Sequence, residues 1–484
     1  MPSLESARPR PVSSIPSFEA TVDVIVIGFG CAGACAAIEA RAAGAEVLVL
    51  ERSGGGGGTS ANSGGLIYLG GGTALQRACG FDDTPDAMYR FLTAASGPGY
   101  HEAKLRALCD GAAAHYDWLV DHGVPFEESF HPEPGMEPQG VEGLVYSGGE
   151  DRNPFDRIAP PAPRAHIPKA PGAAGGFLMQ CLIEATVACA AAVEVNTRVQ
   201  ALVEDLEGRC VGVVARSAGR ERAFRARRGI VLAGGGFVAN PELVALHAPQ
   251  IARCQAKNGI ESDDGFVMRM GQAAGGNLIR METGEVALPV TIPHRLGRGL
   301  FLNALAQRYI NEDTYFGHIG QASLMHWNGD VWFLADEAIW EPNILKMQPT
   351  FVAETLGELE TEAGFPAGAL EESVERYNRF ARKGEDPFFR KRSDMLQPLE
   401  TPPYALVDCR PEHCLYAGFT TGGLHTAVGG EILDVDGAPL PGIFAAGRSA
   451  ALCSGRYYPA SGISLADGTY FGRLAGISAA NERG

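Results

Sequence analysis

The sequence has no apolar stretch long enough to span a bilayer, no C-x-x-C cysteine pair and no excess of basic residues. Each absence excludes a class of function. A membrane-spanning helix needs about 20 apolar residues in a row, and residues 1–17, polar and proline-rich, lack the apolar core of a secretory signal. A cytoplasmic protein with no transmembrane segment is the expectation. The 11 cysteines are scattered without ligand spacing, which suggests neither a metal site nor a disulfide framework. Cys31 and Cys35 read first as small buried packing residues, with a redox pair as the alternative. Against 57 Asp and Glu stand only 40 Lys and Arg, and the resulting charge of −17 disfavours nucleic acid and anionic membranes as partners.

What is plentiful is glycine, 63 of 484 residues, and it is clustered. The length favours two domains and leaves room for a large cofactor. Val22 to Ile27 is a β-branched run, a buried parallel strand by pattern, and it leads into Gly28-Phe29-Gly30-Cys31-Ala32-Gly33. A helix to about Ala43 and a strand from Glu46 to Leu50, ending on Glu51, complete a βαβ unit. The segment from Gly54 through Gly58 and Thr59 to Gly65 reads as irregular. Pro85 to Val120 is helical, and Pro154 to Pro171 reads as a proline-rich, mobile surface cover. A hairpin is expected from Val193 to Val214, turning at Glu207-Gly208, then a buried strand over Gly229–Ala233 ending in Gly234-Gly235-Gly236. Another helix follows Asp264-Gly265. From Met281 to Pro402 the βα alternation is lost, and it returns with the strand Gly442–Ala446 and a final helix opened by Ser461 to Gly468. One nucleotide-binding fold is therefore split by an inserted unit.

The glycines of the first turn allow a pyrophosphate close to the backbone, where a helix N-terminus offers free N–H groups and partial positive charge. Glu51, 18 residues after Gly33, sits where an acid grips a ribose hydroxyl. The second glycine-rich segment and the C-terminal signature favour FAD over NAD, because an extended flavin needs cradling along its whole length. Ser60, Ser63, Gly64 and Gly65 are candidate phosphate or ring contacts, a flexible loop being the alternative. Ser461 to Gly468 would aim a helix N-terminus at the flavin N1/O2 edge, the alternative being simple capping by Ser461 or Ser464.

On these motifs the chain resembles the fumarate reductase and 3-ketosteroid dehydrogenase superfamily of flavoproteins, from Val22 to about Ala480. The resemblance rests on the fingerprint, on Ala233-Gly234-Gly235-Gly236-Phe237, on Leu302-Asn303 with Gln307 through Asp313, and on Ala445-Ala446-Gly447. It implies an α/β fold, a Rossmann-like FAD-binding domain at 18–280 and 403–484, interrupted by an α+β catalytic or capping domain at 281–402. The candidate FAD contacts are Gly28, Gly30, Cys31, Ala32, Gly33, Glu51, Arg52, Ser53, Thr59, Ser60, Ser63, Gly64, Gly65, Val199, Ala233, Gly234, Gly235, Gly447, Arg448, Gly462, Ser464 and Leu465. Covalent members attach the flavin through a histidine in the glycine-serine segment. None occurs between Gly54 and Gly72, so FAD is expected to be non-covalent.

Fumarate reductases hold a dicarboxylate with His and Arg. Where they resemble His-Thr-Met-Gly-Gly this chain has Phe419-Thr420-Thr421-Gly422-Gly423, and Pro459 stands near their last arginine. Arg295 falls near their proton-donating arginine and reads as structural. Ketosteroid dehydrogenases use tyrosines, and Asn311-Glu312-Asp313-Thr314-Tyr315 resembles the segment with the catalytic tyrosine of 4-ene-forming members. Tyr458-Pro459-Ala460-Ser461-Gly462 is similar to the Tyr-Pro-x-x-Gly of 1-ene-forming members, whose tyrosine hydroxyl and glycine N–H bind the ketone. Tyr315, Tyr458, Ser461 and Gly462 are therefore the candidate catalytic groups, with Tyr315 taking the α proton. A tyrosine titrates near pH ~10, so that role needs a stabilised phenolate or a relay through Ser461. The implied reaction is FAD-dependent desaturation of a 3-ketosteroid or similar cyclic ketone, followed by reoxidation by an external electron acceptor. Reduction of an enone or fumarate-like alkene and desaturation of a small cyclohexanone are the alternatives. Tyr309, Tyr457, His294, His318, His326 and His425 read as packing or surface residues, though His425 falls in a flavin-proximal segment.

Overall fold

A computed structural model describes residues 7–134 and 138–483. At its centre is a nine-stranded sheet. Ala20–Ile27 (β1) supplies branched side chains suited to burial on both faces, and Val24, Ile25 and Val26 are wholly buried. Helix α1 (Cys31–Ala42) crosses to Val47–Leu50 (β2), which lies parallel to β1, and Ala192–Glu194 (β3) extends the sheet beyond β2. Thr197–Glu204 (β4) and Cys210–Ser217 (β5) form the expected hairpin. From β5 the chain enters Arg220–Leu232 (β6), antiparallel to β5 at its start and parallel to β1 at its end. The tip of β6, Ile230–Leu232, also pairs in parallel with Pro439–Ala445 (β7). The βαβ reading and the return of the sheet near the C-terminus are borne out.

The last helix, Ile463–Asn481 (α2), packs against α1 along a seam of small residues. A Cβ on Gly472 would lie 2.5 Å from the Ala32 carbonyl oxygen, and one on Gly476 would lie 2.2 Å from that of Ala36. The two ends of the split domain are thus locked backbone to backbone. Leu300–Asn303, Val331–Asp336 and Phe351–Ala353 of the inserted region join Tyr404–Asp408, just beyond its expected end, in a separate four-stranded sheet. Beside it Arg308 pairs with Glu312 at 2.7 Å and Asp386 at 2.9 Å, and Lys391 reaches Glu312 at 3.0 Å. Burial raises the Glu312 pKa, but Arg308 and Lys391 outweigh it and hold the carboxyl below its usual value. This buried network fixes the segment that ends in Tyr315.

Two sequence expectations are corrected. The stretch Pro154 to Pro171 is not surface loop throughout: Ala162 to Pro168 are buried, and Ala165–His166 is a strand between Ile67–Tyr68 and Leu144–Val145. Composition misled because prolines flank the strand while Arg164 turns inward onto Asp83, with Nη2–Oδ1 at 2.7 Å and both side chains fully buried. The glycine-serine segment is not wholly irregular either, since Gly58–Ala61 makes one helical turn. Among the described residues no helix is long and apolar enough to cross a membrane.

Asp83→Ala strands the Arg164 charge in the interior. It should cost about 3–5 kcal/mol, the usual range for breaking a buried ion pair, seen as a lower denaturant midpoint. A midpoint equal to that of the parent would contradict the structural role of this pair.

Candidate active site

The strand ends of the central sheet open onto a cavity of about 640 Å³. Its wall begins at the first turn. Gly28 has φ +100°, and a Cβ there would come within 2.4 Å of the Ala233 carbonyl oxygen, so only glycine lets β1 and β6 meet at this point. A Cβ on Gly33 would lie 2.0 Å from the Gly28 oxygen; this glycine does not line the cavity but lets α1 sit down on the turn. Glu51 is buried at the end of β2, where its carboxylate accepts the Phe29 N–H at 2.8 Å and the Ser53 N–H at 2.7 Å. Ser53 therefore orients Glu51 through its backbone and is not itself in the wall.

The remaining candidate FAD contacts do converge on this one wall, including Thr59, Ser60 and Ser63 to Gly65, Val199, Ala233 to Gly235, Gly447, Arg448, Ser464 and Leu465. Ser60 Oγ accepts the Cys31 N–H at 3.3 Å, which ties the glycine-serine segment to the fingerprint. Arg52 pairs with Asp264 at 2.9 Å. The wall also contains residues that sequence reasoning missed. Asp263 Oδ2 accepts from Thr59 Oγ1 at 2.7 Å and Arg448 Nη2 at 2.6 Å, joining segments from three distant parts of the chain. Nothing local marks it, because its partners lie 204 and 185 residues away. Glu285 and Asn258 were missed for the same reason.

These residues fit FAD. Backbone approaches at the turn where side chains are excluded, Glu51 is held by two N–H groups for further hydroxyl contacts, and the buried Arg448 Nη1 has no hydrogen-bond partner among the described residues. A donor of that kind calls for an oxygen supplied by a ligand.

At the other end of the cavity Gly462, with φ +98°, N-caps α2 without any side-chain cap, so Ser461 and Ser464 are not capping residues. The Ser464 N–H instead donates to the Tyr458 hydroxyl oxygen at 3.2 Å. Burial pushes the Tyr458 phenol well up, so it stays protonated, and its own proton remains to be donated. Ser461 Oγ lies 2.9 Å from the Tyr315 hydroxyl. Tyr315 itself lines an adjoining cavity of about 390 Å³ that shares Phe316 and Ile344 with the first. The structure therefore brings Tyr315, Ser461, Gly462 and Tyr458 together where the two cavities meet.

The other aromatics and histidines have structural partners. Tyr309 bonds Ser323 at 2.6 Å, and Tyr457 meets His326 at 3.1 Å. His318 donates from Nε2 to the Pro459 carbonyl at 3.0 Å, and burial pulls its pKa down to about 4, leaving it neutral. His294 lies 3.3 Å from Arg152, and His425 faces the His101 ring rather than the flavin cavity. Arg295 bonds the Ala338 carbonyl, as a structural arginine does. Cys31 and Cys35 are free and buried, and burial raises both thiols, as expected of packing residues.

Residues 23–465 match the family described as FAD binding domain, and the chain belongs to that family; it binds FAD. The chain is 46% identical to 3-ketosteroid-Δ4-(5α)-dehydrogenase from Rhodococcus jostii RHA1, whose crystal structure is in complex with 4-androstene-3,17-dione. That match covers 98% of this chain and 100% of the other, with a TM-score of 0.93. Among curated proteins, urocanate reductase of Eggerthella lenta is 27% identical over 95% of this chain and 74% of its own length. The 4-oxocyclohexanecarboxylate 2-dehydrogenase of Sinomonas cyclohexanicum is 28% identical over 96% and 93%. The resemblance read from the motifs is borne out.

Without a histidine between Gly54 and Gly72 the flavin has no such point of attachment. The purified protein is expected to be yellow and to release intact FAD on acid precipitation. Flavin retained in the pellet would show a covalent link.

Proposed function

We propose that this protein desaturates the carbon pair beside the ketone of a 3-ketosteroid, forming the 4-ene. The observation that carries this reading is the Tyr315–Ser461 contact of 2.9 Å beside the Tyr458 hydroxyl at the N-terminus of α2. The identity of 46% with the Rhodococcus enzyme over nearly the whole chain supports the 4-ene regiochemistry. The ketone oxygen accepts from the Tyr458 hydroxyl and the Gly462 N–H, which stabilises a developing enolate and acidifies the adjacent C–H. Tyr315 takes the α proton while its own proton passes to Ser461, whose hydroxyl proton leaves in turn to solvent, so the phenol need not be ionised beforehand. Bound FAD supplies the acceptor for the β hydride, and an external acceptor later reoxidises it.

Under this reading 281–402 with the strand Tyr404–Asp408 is the capping domain, and the protein works in the cytoplasm. Phe419 and Pro459 stand where a dicarboxylate site needs His and Arg, which weighs against fumarate-like substrates. Desaturation of a small cyclohexanone is the second reading, favoured by the likeness to the Sinomonas enzyme. Anaerobic bleaching of the flavin by a saturated 3-ketosteroid, and not by succinate or a small cyclohexanone, is the expected outcome. Bleaching by succinate alone would overturn the proposal.

The tyrosines differ in role and so in phenotype. Tyr315→Phe should lose most of the rate of flavin reduction with little change in ketone affinity, because its proton transfer occurs in the transition state. Tyr458→Phe should lose about 10²–10³ in rate, the usual cost of one oxyanion donor, and bind ketone more weakly as well. Stopped-flow reduction across ketone concentrations separates the two. Parental rates in both variants would make them packing residues.

A further inference from the structure

Glu285 is a buried carboxyl in the wall of the flavin cavity, and the proposed reaction makes no use of it. It lies on the strand Gly284–Ala287, directly opposite Phe419 of Ala417–Thr420. The Phe419 ring stands edge-on to the Tyr458 ring at 5.3 Å and carries the Arg448 guanidinium over its face at 5.3 Å. This places Glu285 at the end of the cavity formed by Arg448 and the N-terminus of α2, away from Glu51. The residue is 5% exposed, and Oε2 has no hydrogen-bond partner among the described residues.

Among the described residues no cation pairs with this carboxyl. Asn258 is its hydrogen-bond partner, and Tyr458 and Cys254, both within electrostatic reach, are neutral. Lys257 spends its ammonium on the carbonyls of Ile251, Ala252 and Cys254, while Arg448 is paired with Asp263. Burial accordingly pushes the Glu285 carboxyl up to about 8. An ionised carboxylate in this wall would repel the negative charge that a two-electron reduction places on the flavin ring.

We propose that Glu285 is a proton-holding acid of the flavin cavity, neutral whenever the flavin is reduced, so that reduction starting from its ionised form draws one extra proton from solvent onto it. The step balances: two electrons from a chemical reductant such as dithionite enter the ring with the proton the ring itself takes, and water supplies a second proton to the carboxylate, its hydroxide passing to the buffer. The proposal goes beyond the reaction proposed above and needs none of its substrate.

The test is a potentiometric titration of the FAD-loaded protein against pH, without any ketone. Each proton taken up per two electrons shifts the midpoint potential by about 30 mV per tenfold change in proton activity. The parent should show one such increment per pH unit below the carboxyl's titration and two above it. Glu285→Gln, isosteric and permanently neutral, should keep the single increment throughout. The same break in both proteins, or in neither, overturns the proposal. Should Glu285→Gln fail to retain FAD, Asn258→Ala decides: removing the bond that favours the carboxylate should move the break to higher pH. An unmoved break would then assign the proton to another group.

Discussion

The structure depends on the close approach of backbone to backbone at the first turn. β1 and β6 meet where a Cβ on Gly28 would collide with the Ala233 carbonyl, and α1 rests on the turn where a Cβ on Gly33 would collide with Gly28. The same condition recurs at the seam of α1 and α2, where Gly472 and Gly476 leave Ala32 and Ala36 in direct contact with the opposing helix backbone. Since interiors are packed to crystal-like density, these contacts leave no slack for a methyl group. Glycine at these positions is thus a geometric requirement of a chain whose first and last segments come together around a ligand held against its backbone.

From that seam the cavity acquires two chemically different ends. Glu51, positioned by two backbone N–H groups, provides a fixed anionic acceptor suited to ribose hydroxyls. The opposite end is set by the N-terminus of α2, whose partial positive charge and free N–H groups favour electron-rich atoms. Tyr458 takes one of those N–H groups on its oxygen and keeps its proton for a ligand. Polarity along the cavity therefore follows from the order of strand and helix ends, and the side chains refine it.

The inserted region contributes rigidity before it contributes chemistry. Arg308, Glu312, Asp386 and Lys391 form a closed ionic network whose members compensate one another's burial. Breaking any one of them would leave an uncompensated charge, so the segment leading to Tyr315 has a single arrangement. The tyrosine's hydroxyl is consequently presented to Ser461, 146 residues further along the chain on the loop that starts α2.

The central strands, the fingerprint helix and the hairpin were legible in the sequence because each depends on local periodicity or on a contiguous motif, whereas the two tyrosines were singled out only by the family resemblance. The buried strand Ala165–His166 was not, since proline-rich composition conceals an arginine whose carboxylate partner Asp83 lies 81 residues earlier. Asp263, Asn258 and Glu285 were likewise invisible. Their importance arises only when segments separated by some two hundred residues close on one cavity, and no local pattern encodes which acid will find a cation and which will be buried without one. The sequence by itself determined the class of fold and the cofactor, because backbone approach to a pyrophosphate demands glycines at fixed spacing. Only the tertiary structure decided which hydroxyls lie within hydrogen-bond reach of each other and which carboxyl is buried without a cation, because those properties depend on burial and on distances between side chains remote in sequence.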